Sequence, residues 1–252
     1  MANESKFPTE VVELPSKGYF YPKDSPLASG KVEMKYMTAK EEDILTSPNL
    51  IQKNIVIDKL LESLVIDESI NLDDLLVGDK NALILAARIL GYGKDYEMIY
   101  FDDNGDEQTT TIDLTKINEL EIDFTKFTEG TTKFDFELPF SKKQITIQLM
   151  TSKIQKDIEA YMKSISKINS QVQTEITSRY KFIIVSVEGN TEKNHINDFI
   201  DNELLAVDSL ALRKHLNEVS PDLDMSITVT QPNGVEKEVA VLLTAQFLWP
   251  TI

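Results

Sequence analysis

A set of short motifs occurs twice along this chain in the same order, and that constrains the fold more than any single residue does. Glu13-Leu14-Pro15 returns as Glu137-Leu138-Pro139. Each copy leads to an alternating stretch that closes on Met-Thr-x-Lys: Val32 to Lys40 in the first case, Ile145 to Lys153 in the second. Ile70-Asn71 echoes Ile196-Asn197, and Asp79 and Asp208 each stand at the opening of an apolar helix. Each of those helices runs on to an Asn-Gly pair, Asn104-Gly105 and Asn233-Gly234. Asn-Gly tolerates the left-handed backbone of a tight hairpin, so both copies are expected to end in a β-hairpin. The expected fold class is α+β, with two related helix-plus-β-hairpin modules from an internal duplication.

The boundaries follow from composition and period. Residues 1–31 carry Pro8, Pro15, Pro22 and Pro26 among Tyr19, Phe20 and Tyr21, and proline favours extended chain there. This stretch reads as an arm. The first α+β module is expected over 32–115, a linker over 116–132 and the second module over 133–252. Within the first module, Val32, Met34 and Tyr36 alternate as a strand, and Thr38 with Glu41 forms a capping box. Pro48 is expected to stop that helix. A second helix is predicted over Ile51 to Val65, and a third over Ala82 to Leu90, capped by Asp79 or Asn81 and ended by Gly91 or Gly93.

In the second module Phe134, Phe136, Leu138 and Phe140 recur at period two, with Pro139 pointing to an edge. Thr151 caps a long helix through Ile165, and Gln171 to Ser178 is expected to continue helical. Tyr180 to Val187 is open between helix and strand, because its β-branched run follows helical context. Helices are predicted near Asn194–Ile200 and Asp208–Val219, closed by Pro221.

Bulk properties remove several function classes. The chain has 252 residues, 42 acidic against 26 basic side chains and a formal net charge of −16. A partner with a phosphate backbone or an anionic membrane surface calls for Lys and Arg, so no nucleic acid and no membrane are expected as partners. The 41% apolar content is that of an ordinary globular protein. Absence of cysteine excludes thiolate catalysis, disulfides and cysteine-ligated metals. The apolar runs Ala82–Ala87 and Phe182–Val185 are too short to span a bilayer. Met1 to Phe20 shows no secretory pattern.

No motif for chemistry stands out. The two histidines, His195 and His215, lack a third ligand at a suitable spacing. Gly91-Tyr92-Gly93 follows a helix rather than preceding one, the wrong context for a phosphate loop. Asp102, Asp103, Asn104, Asp106 and Glu107 are rich in oxygen ligands but miss the calcium-loop spacing. No catalytic, cofactor-binding or metal residue is expected, and the chain reads as a non-enzyme. The candidate partner-binding residues are Leu14, Pro15, Gly18, Tyr19, Tyr21 and Pro22, since an extended proline-rich segment loses little freedom on docking. On that reading, a chain lacking residues 1–22 folds but fails to join its complex. The edge near Phe134–Phe140 is a second candidate.

Several of these residues carry a resemblance. Leu14-Pro15-Ser16-Lys17-Gly18, Tyr21-Pro22, Gly30 and Met37-Thr38-x-x-Glu41-Glu42-x-x-Leu45 are joined by Asp79-Lys80, Ala86-Ala87-Arg88, Gly91-Tyr92-Gly93 and Tyr96. The end Phe247-Leu248-Trp249-Pro250 completes the pattern. Together they resemble the baseplate hub assembly proteins of T4-like contractile-tailed bacteriophages, most sharply over residues 11–96. The resemblance implies a tail-morphogenesis protein that binds other baseplate hub or tail proteins in the host cytoplasm, as structural subunit or assembly factor. It leaves open self-association and whether the chain stays in the virion. A transient chaperone absent from the particle and a cytoplasmic adaptor unrelated to phage are the alternatives. Some relatives carry Cys-x-x-Cys pairs at the two hairpins. Here Asp102-Asp103 and Thr230-Gln231 occupy those places, so other contacts must hold the hairpins.

Overall fold

The computed structural model describes residues 8–168 and 174–249. Strand β1 (Thr9–Glu13) pairs antiparallel with β2 (Lys31–Lys35), Val12 opposite Val32. The stretch 1–31, read as an arm, therefore contributes one strand of this pair. Between the strands the chain makes a compact turn: Leu14 N–H donates to the Gly30 carbonyl at 2.9 Å and Lys17 N–H to the Leu14 carbonyl at 2.8 Å. Gly18 has φ +76, and a β-carbon there would stand 2.3 Å from the Ala28 carbonyl oxygen, so this turn accepts only glycine.

Helix α1 (Ala39–Leu45) begins at the predicted capping box, where Glu41 accepts from the Thr38 N–H at 2.9 Å and its hydroxyl at 2.6 Å. This helix ends ahead of Pro48, as predicted, and Pro48 opens the next, α2 (Pro48–Gln52), because proline suits a first helical turn. The single helix predicted from Ile51 is broken at Asn54, whose φ is 57, and resumes as α3 (Val56–Leu64). Val65 then returns to β2 through a bridge to Met34.

Helix α4 (Val77–Tyr92) starts five residues earlier than predicted and ends at Gly93. Ala82, Leu83, Ile84, Leu85 and Ala87 are all buried, as expected of a helix apolar on every side. The hairpin of β3 (Asp95–Phe101) and β4 (Glu107–Asp113) follows, as predicted. The stretch 116–132 has no strand, yet it lies on the core: Phe124 and Phe127 place their rings 5.9 and 5.5 Å from that of Phe20.

The second half holds a three-stranded antiparallel sheet in the order β5 (Lys133–Glu137), β6 (Gln144–Gln148), β7 (Ile184–Val187). Helix α5 (Ser152–Ile168) starts after Thr151 as predicted. Of the helical continuation predicted over Gln171 to Ser178, residues 171–173 lie outside the described residues, and α6 (Glu175–Ile183) covers the remainder from Glu175. The ambiguous Tyr180–Val187 is both forms in turn, helix to Ile183 and then β7. Helix α7 (Lys193–Asp198) runs into a π-helical turn, Phe199–Glu203, before α8 (Ala206–Val219). The chain ends in the hairpin of β8 (Ser226–Thr230) and β9 (Glu236–Ala240).

Two apolar cores result. The smaller belongs to the second half and includes Leu138, Ile145, Ile147, Ile184, Phe199 and Leu212. The larger joins Leu14, Phe20, Met34 and Leu83 to Leu149, Leu223, Val241 and Phe247. Residues from both expected modules thus share one core. Gly78 sits at this junction, where an added β-carbon would meet the Pro221 carbonyl oxygen at 1.9 Å.

A buried carboxylate locks each half. Asp79 accepts from Ser16 N–H at 2.9 Å and from the Tyr21 hydroxyl at 2.5 Å, while that hydroxyl accepts from Leu76 N–H at 2.8 Å. Burial pushes the Asp79 carboxyl above its ordinary range, against the hydrogen bonds from Tyr21 and Ser16. Asp208 accepts from Phe140 N–H at 2.8 Å and Ser141 N–H at 3.0 Å. Burial acts upward there too, but those bonds and nearby Lys142 outweigh it and hold the carboxyl below its ordinary value. Tyr21→Phe strips Asp79 of a donor and Leu76 of an acceptor. It is expected to lower unfolding stability by about 2 kcal/mol, read as a reduced urea midpoint at unchanged slope.

Glu41 provides a pH signature. Burial raises its pKa, but bonds from Thr38, Lys35 and Ser63 prevail and bring it down to about 2. Its stabilising contribution is therefore complete above the usual value of 4.5 and fades as pH falls toward about 2. Urea unfolding of the wild type and Glu41→Gln at pH 7 and at acid pH should show the gap between them narrowing on acidification.

Candidate interaction surface

The six residues predicted to meet a partner lie mostly inside. Leu14, Pro15, Gly18 and Tyr21 are buried, Tyr19 is half-buried and Pro22 is exposed. The Tyr19 hydroxyl donates to the Phe127 carbonyl at 2.8 Å, and the Tyr19 ring packs against Phe20 and Phe124. Turn geometry explains the difference. Lys17, Gly18 and Gly30 fold the segment back so that its apolar side chains reach the Asp79 lock. Proline content signals extended chain but not the surface that chain lies on.

The β5 segment is covered in part: Phe134 and Phe136 are half-buried and Leu138 is buried. β5 pairs with β6 alone, so its other side is an open edge. Phe140, in the turn after β5, is 68% exposed. Phe136 stacks on the His215 ring at 4.3 Å and 14°, which occupies that histidine in packing, and burial lowers its pKa. His195 is exposed.

The hairpin tips are joined, which sequence reasoning missed. Asp103 N–H donates to Gln231 Oε1 at 2.9 Å, and Gln231 Nε2 donates back to Asp103 Oδ2 at 3.0 Å. Lys237 Nζ reaches the Phe101 carbonyl at 2.9 Å and the Asp103 carboxylate at 3.1 Å. Gln231 is buried by this exchange. Asp102 is spent within its own turn, accepting from the N–H groups of Asn104 and Asp106 and from Gln108. Among the described residues, no group of three or more His, Cys, Asp or Glu side chains is arranged to hold a metal. The only signal in the sequence was positional: Gln231 stands three residues before Gly234, as Asp102 stands before Gly105.

Between β3 and the chain after β9 lies an open cleft of about 710 Å³, lined by Arg88, Tyr96, Met98, Leu242 and Trp249. Arg88 is buried and its Nε has no hydrogen-bond partner among the described residues. Its other nitrogens donate to the Gly93 carbonyl at 3.2 Å and, at a long 3.5 Å, to that of Asp95. The guanidinium carbon also lies 5.3 Å from the Tyr92 ring centroid and 5.6 Å from that of Tyr96, which holds the charge in place. A second cleft of about 610 Å³ follows the seam between α3 and α5, where Asp58 bonds Lys80 at 2.5 Å and Lys156 at 2.7 Å. Lys156 also bonds Asp73 at 2.6 Å, so both carboxylates there are paired with ammonium groups.

A surface of free strand edges and exposed apolar side chains suits protein contact. Comparison with known families agrees, since the model of the T4 bacteriophage base plate protein matches residues 8–249. The chain belongs to this family. No curated protein and no solved structure matches it. A base plate protein works within a tail assembly among other tail proteins. Among the described residues of this one, no helix is long and apolar enough to cross a membrane.

Burial changes the expectation for the first 22 residues. A base plate chain lacking 1–22 loses β1, Leu14, Phe20 and Tyr21 from the larger core. It is expected to lose its cooperative unfolding transition by circular dichroism rather than to fold and merely fail to assemble.

Proposed function

We propose that this base plate protein is a non-enzymatic component of baseplate hub assembly that binds other hub or tail proteins. It would act in the host cytoplasm during assembly. The observation that carries this reading is the family match across residues 8–249, on a chain whose buried charged groups are committed to turns, caps and ion pairs. The same match weighs against an adaptor unrelated to phage.

We also propose that the two halves arose by duplication. β1 and β2 pair Thr9 with Lys35, and one residue before and after them Tyr36 N–H donates to the Pro8 carbonyl. β5 and β6 pair Lys133 with Gln148, and Leu149 N–H donates to the Thr132 carbonyl. Leu14 and Leu138 follow at equal spacing, both fully buried, and Asp79 and Asp208 each hold the turn after Leu-Pro. Such agreement in register supports common descent over convergence on one motif. Two like modules offer two contact surfaces on one chain, which raises effective concentration for a second partner. Within the first module, Pro22 and the half-buried Tyr19 would face a partner, while Leu14, Pro15, Gly18 and Tyr21 set the shape of the turn that presents them.

Mass spectrometry of purified particles, with hub formation scored in infections lacking the gene, tests the reading. A structural subunit is expected at fixed copy number, with no hub formed in its absence. Absence from particles together with loss of the hub would favour the transient chaperone. Normal hubs without the gene would overturn both.

A further inference from the structure

The contact between the two halves joins two segments, and each of those segments has a counterpart elsewhere in the chain. Within the chain, the segment before α4 meets the segment before α5: Val77 N–H donates to the Met150 carbonyl at 3.0 Å, and Ser152 N–H to the Leu75 carbonyl at 2.8 Å. Leu76 bridges to Thr151. This is a short antiparallel junction between a Leu-Leu segment of the first half and a Met-Thr segment of the second.

Each side of that junction exists once more. Leu204-Leu205-Ala206 precedes α8 as Leu75-Leu76-Val77 precedes α4, with Asp208 and Asp79 third in their helices. Met37-Thr38-Ala39 follows β2 as Met150-Thr151-Ser152 follows β6. Met37 and Thr38 are half-buried, as Met150 and Thr151 are, but at the flanking positions and on the Leu-Leu side the used copies are covered and the unused ones more exposed. Leu76 is 2% exposed against 43% for Leu205. Gly78 lies under Pro221, whereas its counterpart Val207 is 50% exposed. Leu149 is 1% exposed and Tyr36 half-buried, and Ser152 is buried where Ala39 is exposed.

We propose that two copies of this chain associate head to tail, the Leu204–Ala206 segment of one docking on the Met37–Ala39 segment of the next as Leu75–Val77 docks on Met150–Ser152 within each chain. The occupant is a second copy because the complementary surface is already part of this molecule and already seated once. The inference rests on the duplication proposed above. A contact of this kind joins different surfaces of the two copies, so it propagates into a ring or a filament rather than closing as a two-fold dimer. At a net charge of −16 per chain, like-charge repulsion opposes association. Raising the ionic strength from about 0.05 M to about 0.5 M should therefore strengthen it by screening.

Sedimentation velocity of the full chain tests this, with two blocked variants on exposed positions. Leu205→Asp blocks the head, with Val207→Lys as a second head variant, and Ala39→Trp blocks the tail. The wild type is expected to exceed monomer mass at about 100 µM, and each variant to weaken association by about tenfold or more. The two variants mixed should form one-to-one dimers and nothing larger, since each keeps one working surface. A wild type that stays monomeric up to about 1 mM in high salt overturns the proposal. So do head variants that associate as the wild type does, or a mixture that grows past the dimer. Circular dichroism of each variant confirms its fold. None of these outcomes bears on presence in particles, so failure here is separable from failure of the assembly reading.

Discussion

A buried carboxylate that gathers the backbone of a distant turn organises this molecule. Asp79 reaches back 63 residues to the Ser16 N–H and 58 to the Tyr21 hydroxyl, fixing the Leu14–Tyr21 turn against the start of α4. Leaving any of these groups unpaired in a dry interior would cost far more than the net gain of a surface hydrogen bond. Turn, helix and core must therefore form together. Asp208 repeats the device with Phe140 and Ser141. The two locks differ in setting: one lies in the larger core beside a phenol, the other accepts two N–H groups close to Lys142, and their titration shifts in opposite directions.

Around these locks the chain is divided by motif but not by core. The last hairpin belongs by sequence to the second half, yet Val241, Phe247 and Leu248 pack with Leu14 and Leu83. Its tip is tied to the first hairpin by the amide–carboxylate exchange between Gln231 and Asp103. Where charged groups are buried, they are answered locally, as Glu41 is by Lys35, Thr38 and Ser63. What the surface offers instead is strand edges and exposed apolar side chains such as Phe140 and Leu205. Such a distribution fits a member of a base plate family, which acts by fitting among other proteins.

Local signals were legible residue by residue. The Thr38–Glu41 box and both Asn-Gly hairpins were each written in short windows, because they depend on neighbours within a few positions, whereas Tyr180 to Val187 stayed open between helix and strand. The break at Asn54 was not, since the apolar stripe runs on across it and only packing of α2 and α3 on separate surfaces demands a left-handed residue. The partner-facing reading of Leu14 and Tyr21 failed to anticipate burial for the same kind of reason. Proline and aromatic content describe the local backbone, while burial depends on Asp79, far away in sequence. Arg88 entered only through the family resemblance, and Gln231 only by its place three residues before Gly234.

The amino-acid sequence by itself determined the class of the fold, the two terminal hairpins of its halves and the family to which the chain belongs. It did so because turn chemistry, capping and hydrophobic period act over a few residues. Only the tertiary structure decided that residues 8–31 pack into the core, that the two hairpins meet at their tips, and that one Leu-Leu segment is covered while the other is open. Those outcomes depend on contacts across tens to more than a hundred residues, where burial and exact backbone pairing, rather than any local preference, set the free energy.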